Sequence, residues 1–161
     1  MTEQIWAPWR LAYVQRPDDE GACFLCLAGE GDDEERLVVR RGRRVLVLLN
    51  KFPYASGHLL IAPVRHVGSF LELSDEEALE VHQLSSSGVC ALAETFAPQG
   101  FNLGWNLGRV AGAGVVDHVH MHVVPRWAGD TNFMPVVAGV KVVPEHLVET
   151  RRKLVAAWPS G

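Results

Sequence analysis

Three histidines alternate with apolar residues in His118-Val119-His120-Met121-His122, and Val123-Val124-Pro125-Arg126 follows. In an extended segment successive side chains point to opposite faces. The spacing predicts His118, His120 and His122 on one face and Val119, Met121 and Val123 on the other. Imidazole is the one side chain whose ordinary charge change falls near neutral pH. A neutral imidazole is both a good nucleophile and a good leaving group. It can divide a transfer at phosphorus into two easier steps through a covalent intermediate. Three charged rings on one face would repel, so a merely structural row of histidines fits poorly. A fourth ring, His58, follows Gly57 at the start of a second strand-like run, His58-Leu59-Leu60-Ile61-Ala62. Rings of this kind are oriented by a backbone carbonyl on the far nitrogen, and the sequence does not name that partner.

Such a face needs a sheet to carry it. Strand-like runs cover Arg36 to Arg40, Arg44 to Asn50, His58 to Pro63, Gly100 to Gly108 and Val116 to Pro125. Gly42 and the segment Pro53 to Gly57 supply turn chemistry between them. A long helix starts at Ser74, where Glu77 three residues on makes a capping box and Leu73 can staple the first turn. Val81, Leu84, Val89, Leu92, Ala93 and Phe96 form its apolar stripe. Ser85-Ser86-Ser87-Gly88 weakens its centre, and Pro98 ends it. A second helix opens at Pro144 and buries Leu147, Leu154, Val155 and Trp158. Cys90 is expected in the core, and His82 and His146 on the surface. The result is an α+β arrangement, an antiparallel sheet covered by helices on one side.

The chain has 161 residues, enough for one domain with a real core, and we read 1–161 as a single domain. No apolar run reaches membrane-spanning length, and the start, Met1 to Trp6, lacks the basic and apolar regions of a signal peptide. The formal net charge of -4 disfavours non-specific binding to nucleic acid polymers. A small anionic substrate remains compatible if the positive groups are local. Residues 1–16 carry Trp6, Trp9 and Tyr13 around Pro8, aromatic surface expected to pack on the domain or on a second subunit.

Three cysteines without an export signal point to a reducing, cytoplasmic setting. Cys23 and Cys26 form a CxxC pair, open to thiol redox chemistry, zinc binding or two incidental thiols. No βαβ context follows it, and residues 28–36 read as a solvated loop. In Phe101 to Asn106, alternation places Asn102, Gly104 and Asn106 on one face. The loop Gly108 to Gly114 is glycine-rich enough for backbone N–H groups to wrap an anion. Asn50 also fits a turn residue closing a strand.

Taken together, these motifs resemble the histidine triad family, whose signature is His-φ-His-φ-His-φ-φ with φ apolar. The resemblance includes Asn50 to His58, Ala62-Pro63-Val64-Arg65-His66, Gly100-Phe101-Asn102-Leu103 and Pro125-Arg126-Trp127-Ala128-Gly129-Asp130, and covers residues 22–135. It implies a five-stranded half-barrel-like sheet with a long central helix. An N-terminal arm (1–21) and a C-terminal extension with a helix (136–161) flank that core. The resemblance further implies a homodimer whose sheets join. His120 would attack the α-phosphorus of a nucleotide to give a nucleotidyl-histidine, which water or phosphate would release. His122 would contact phosphate oxygens, His118 would orient the site or bind zinc, and His58 would support them. Asn50 would hold ribose and Asn106 phosphate. Zinc-bearing members would use Cys23, Cys26, His66 and His118, a structural site because four protein ligands leave no open position.

The chain departs from the family where many members carry Gln followed by Ser or Thr. Here Ala113-Gly114-Val115 stands in a loop that reads one residue longer. The backbone amides of Gly112, Ala113 and Gly114, or Arg109, are left to substitute. The expected reaction is hydrolysis of a dinucleoside polyphosphate such as diadenosine tri- or tetraphosphate. Phosphorolysis of the same substrates, a nucleoside phosphoramidase, and a nucleotide-binding or zinc protein without turnover are the alternatives.

Overall fold

The computed structural model describes residues 23–115, 117–130 and 145–160. The N-terminal arm with Trp6, Trp9 and Tyr13, and Pro144, lie outside the described residues. Five strands form one sheet: β1 (Val38–Arg41), β2 (Val45–Leu49), β3 (Leu59–Pro63), β4 (Gly100–Trp105) and β5 (Met121–Arg126). The spatial order is β1-β2-β3-β5-β4, and every neighbouring pair is antiparallel. Among the described residues three α-helices accompany it: α1 (Phe24–Glu30), α2 (Asp75–Phe96) and α3 (Leu147–Ala156).

The two central strands explain the architecture. Val-Leu-Val-Leu-Leu in β2 and Leu-Leu-Ile-Ala-Pro in β3 are buried along their whole length. Alternation sends Val45, Val47, Leu49, Leu59 and Ile61 into a cluster with Val81, Ala91 and Leu92 of α2 and Leu154 of α3. It sends Leu46, Leu48, Leu60 and Ala62 into a second cluster with Leu25 and Ala28 of α1. Strands buried on both faces read as continuous apolar runs rather than alternating ones. The expectation of helices on one side is therefore corrected: α1, whose last turn falls in the stretch read as solvated loop from residue 28, covers the other face. Arg41 holds α1 in place, donating to the carbonyls of Ala28, Gly29 and Gly31 at the helix end and to Asp33.

Two other expectations change. Cys90 is exposed, because the buried face of α2 runs through Val81, Ser85, Gly88, Ala91 and Leu92; Ala93 lies outside that face and is exposed too. In α3, Leu154 is buried and Val155 exposed, and just past the helix end Trp158 packs on the core. The helix is capped by exposed His146, whose ring accepts from the Val148 N–H.

The start of α2 is built as the capping box predicts. Ser74 Oγ accepts from the Glu77 N–H (3.2 Å), and Glu77 accepts from the Ser74 N–H (2.9 Å). Arg65, two residues past β3, adds a fork, donating to both oxygens of the buried Glu77 carboxylate at 3.0 and 2.8 Å. That guanidinium, aided by the Ser74 N–H, holds the Glu77 carboxyl below its ordinary value of 4.5 against the opposing effect of burial. A carboxyl whose folded value is depressed stabilises the fold above its unfolded value and loses that contribution as pH falls through the folded one. Glu77→Ala is expected to cost about 2–3 kcal/mol at pH 7, a cap plus charge-assisted hydrogen bonds. The gap in Tm to the parent should close as pH drops below about 4, measured by thermal melts across pH 3–7.

Candidate active site

β5 begins only at Met121, so the expected strand from Val116 and the single face of three rings are corrected. Val119 donates its N–H to the Val67 carbonyl (2.8 Å), which draws residues 117–119 across the loop after β3 instead of along its edge. A Cβ at Gly68 would stand 3.2 Å from the Asp117 backbone, so the two segments cross closely there. Pairing with β3 starts at Met121↔Ile61 and puts His122 opposite Leu60. His120 and His122 remain neighbours, ring centroids 5.0 Å apart. His118 turns instead to His66, edge-on at 5.0 Å.

All four rings at the site are buried: His58, His118, His120 and His122 are 0–8% exposed. Their partners fix their protons. A carbonyl oxygen only accepts, so a ring nitrogen facing one carries hydrogen. His120 Nδ1 donates to the His118 carbonyl at 2.8 Å, leaving the Nε2 lone pair for chemistry. Burial pushes the His120 ring below its ordinary value, with the His118 carbonyl opposing; the ring is neutral at pH 7. His118 Nε2 donates to the Pro63 carbonyl at 2.8 Å, leaving Nδ1 as its lone-pair atom. Burial also lowers His118, again against its carbonyl partner.

His118 Nδ1 faces the two thiols, 3.3 Å from Cys23 Sγ and 3.5 Å from Cys26 Sγ. His66 Nδ1 lies 3.2 Å from Cys26 Sγ. The four ligand atoms all lie within 4.8 Å of one another. Cys23 sits at the N-cap of α1 and Cys26 in its first turn, which brings the thiols together. Burial, followed by the Cys23 thiol beside it, pushes the Cys26 thiol up. This set could hold a metal ion, and bound metal would reverse that direction by favouring thiolate.

His58 reaches the pair from β3's leading edge. Its Nε2 is 2.9 Å from His122 Nδ1, and Gly57 turns the chain into it with φ +79°, where an added Cβ would stand 2.7 Å from Leu92. Asn50 lies beside His58, Nδ2 to Nδ1 at 3.3 Å. Asn106 Nδ2 is 3.3 Å from His122 Nε2 and 3.4 Å from the Gly112 carbonyl. Asn102 is not at the site; its side-chain oxygen accepts from Arg126 (2.8 Å), which also grips Asp130. The loop after β4 turns tightly at Arg109–Ala111. Its N–H groups at Ala111, Gly112 and Ala113 donate back to the Gly108 and Arg109 carbonyls. Arg109 and Gly114 are exposed, Gly112 and Ala113 half-buried, and of these Gly112 meets Asn106 through its carbonyl.

Tyr54 was not singled out by sequence. Its ring lies nearly parallel to His122 (13°, centroids 5.7 Å) and 4.6 Å from His58. The orienting carbonyls of Pro63 and His118 carry no side-chain signal at all. The run Pro53-Tyr54 reads as turn chemistry, and only the fold places that turn over the rings.

Comparison with known proteins agrees with this geometry. Residues 32–129 match the HIT domain model, and the chain belongs to the histidine triad family. It is 38% identical over 165 residues to an AP-4-A phosphorylase of Mycobacterium tuberculosis, covering 97% of this chain and 84% of the relative. It is 35% identical over 107 residues to the adenosine 5'-monophosphoramidase of Schizosaccharomyces pombe, covering 65% of this chain and 74% of that one. The fold is shared with a zinc-bound histidine triad family protein from Mycobacterium smegmatis (TM-score 0.66, 24% identity, 84% of this chain and 92% of that one).

Proposed function

We propose that this enzyme cleaves dinucleoside polyphosphates, such as diadenosine tri- or tetraphosphate, by nucleotidyl transfer through His120. The observation that carries the reading is the commitment of His120 Nδ1–H to the His118 carbonyl. It aims the Nε2 lone pair of a neutral ring outward. Nε2 attacks the α-phosphorus, the bond to the bridging oxygen breaks, and the polyphosphate half leaves. An acceptor oxygen then attacks the same phosphorus, and the phosphorus–nitrogen bond breaks to restore His120. His122 and Asn106 stand beside it to stabilise charge on the phosphate oxygens, with His58 behind His122. Asn50 is assigned to the ribose side and Arg109 with Gly114 to the phosphate side, the N–H groups of Gly112 and Ala113 being taken by the Arg109 and Gly108 carbonyls.

The acceptor is water in the reading from sequence. Likeness to the M. tuberculosis AP-4-A phosphorylase over nearly the whole chain favours orthophosphate as the second reading. The chemistry at His120 is common to both. We further propose that Cys23, Cys26, His66 and His118 hold a structural zinc. Tetrahedral zinc with these donors spaces them by about 3.3–3.8 Å, and the sulfur–nitrogen distances of 3.2–3.5 Å fit. A homodimer is supported by edge strand β4, which exposes Leu103 and pairs on one side only among the described residues. Three free cysteines support a reducing, cytoplasmic setting. No described helix is long and apolar enough to cross a membrane.

Metal analysis of protein purified without chelator is expected to give about one zinc per chain. Cys26→Ser should lose the metal and lower Tm; a metal-free protein whose Tm ignores both zinc and chelator would remove the site. For the reaction, we would incubate the protein with diadenosine tetraphosphate in oxygen-18 water, with and without phosphate, and read products by mass spectrometry. Labelled AMP establishes hydrolysis, and ADP that requires phosphate establishes phosphorolysis. His120→Ala should lower kcat at least about a thousandfold while nucleotide still binds. Full activity in that variant would sink the mechanism.

A further inference from the structure

The turn between β2 and β3 carries a hydrogen-bond chain that the transfer step does not by itself require. Asn50 Oδ1 accepts from the Phe52 N–H at 2.9 Å, so the amide is oriented by the turn. Its Nδ2 is the end that meets His58 Nδ1, at 3.3 Å. The Tyr54 N–H donates to the same Nδ1 at 3.0 Å. Both groups are donors only, so His58 Nδ1 is the unprotonated nitrogen and the proton of the neutral ring sits on Nε2. That N–H points at His122 Nδ1, 2.9 Å away. His122 Nδ1 then accepts, and its own proton lies on Nε2. The tautomers of two buried rings thus follow from one side-chain amide and one backbone N–H at a surface turn. In a buried chain of this kind each bond sets the direction of the next.

We propose that Asn50, with the Tyr54 N–H, is a positioning residue that fixes the His58–His122 pair in one polarity, presenting His122 Nε2–H to a phosphate oxygen. Asn106 Nδ2, itself a donor, lies 3.3 Å from His122 Nε2. With the His58 chain leaving the proton on His122 Nε2, this approach is donor to donor and not a hydrogen bond, and an anionic oxygen accepting from both would relieve it. The Tyr54 ring covers the pair and is half exposed, walling the chain off from water. Asn50 thereby acts at a distance from the reacting phosphorus, a different role from a contact to ribose. The phosphate target rests on the reading of His120 as nucleophile; the tautomer chain does not.

The test is nitrogen-15 NMR of histidine-labelled, ligand-free full-length protein, with steady-state kinetics on diadenosine tetraphosphate alongside. In the parent, Nδ1 of His58 and of His122 should both give unprotonated signals. Asn50→Asp sets an acceptor against His58 Nδ1 and should move that nitrogen into the N–H range. Its kcat should fall roughly tenfold to a hundredfold, more than KM rises from a lost ribose contact. Asn50→Ala, which removes the donor without reversing it, should lose less kcat. Backbone amide signals of β2 and β3 report whether each variant is folded. A protonated His58 Nδ1 in the parent overturns the proposal. So does a raised KM with unchanged kcat and unchanged ring signals in Asn50→Asp, or a proton moved with no loss of kcat. A parent that turns over no dinucleotide while showing the expected ring signals overturns the proposed function and leaves the tautomer chain standing.

Discussion

Burying an imidazole obliges the protein to find a partner for its N–H, and this site buries four. Each ring has two nitrogens and, when neutral, one proton, so a single partner settles both. The His118 carbonyl settles His120, the Pro63 carbonyl settles His118, and two donors settle His58. In water each ring would exchange tautomers and charge freely. Here the reactive lone pair has a fixed address before any substrate arrives. That is preorganisation in the electrostatic sense: no solvent or proton need be rearranged at the moment of reaction.

The fold is the means of keeping water out. A sheet covered on one face only would leave β3 and the start of β5 wet along one side. Placing α2 and α3 on one face and α1 on the other makes β2 and β3 fully buried. α1 does a second job, since its first turn carries the two thiols that meet His118. Arg41 ties the end of that short helix to β1 through three carbonyls. A seven-residue helix has little stability of its own, so such anchoring is what lets it present a ligand pair at a defined position.

How much of this the sequence disclosed depends on what kind of group carries the signal. Side-chain patterns are legible: the capping box at Ser74 and Glu77, five strands, the end of the long helix at Pro98, and the nearness of His120 and His122, while His58 joins them only through the family resemblance. The four-residue thiol and imidazole cluster followed from resemblance and is assembled as expected. Backbone partners were not legible. The carbonyls of Pro63 and His118 belong to every residue type, so only tertiary placement picks them out. Period two also misled. It put His118 on the face of His122 because alternation assumes a continuous strand, and the Val119–Val67 hydrogen bond interrupts it. The core expectation for Cys90 rests on thiols being commonly buried, and that for Ala93 on the apolar stripe beside Leu92. The buried face instead follows Ser85, against Met121 of β5, and Gly88, against Leu59 of β3. Ser85 satisfies its hydroxyl within the helix on the Val81 carbonyl.

The departure of His118 from the triad face gives the motif a division of labour. Its ring cannot serve phosphate while Nε2 is bound to Pro63 and Nδ1 faces two sulfurs. Its backbone can still serve His120, because the carbonyl lies on the chain between the two rings. One residue thus joins the thiol and imidazole cluster to the nucleophile through different atoms. A backbone shift at His118 large enough to accommodate a changed cluster would turn its peptide, and the carbonyl would turn with it. The buried His120 N–H would then lose its acceptor. Such a loss costs about 1–3 kcal/mol for a buried group, enough to hold the geometry of the two sites together. Alternation of histidine and apolar residues therefore places a carbonyl as well as rings: the apolar positions anchor in the core and the His118 carbonyl meets His120 Nδ1, whereas His118 and His122 take their partners, the Pro63 carbonyl and His58 Nε2, from β3 and its leading edge.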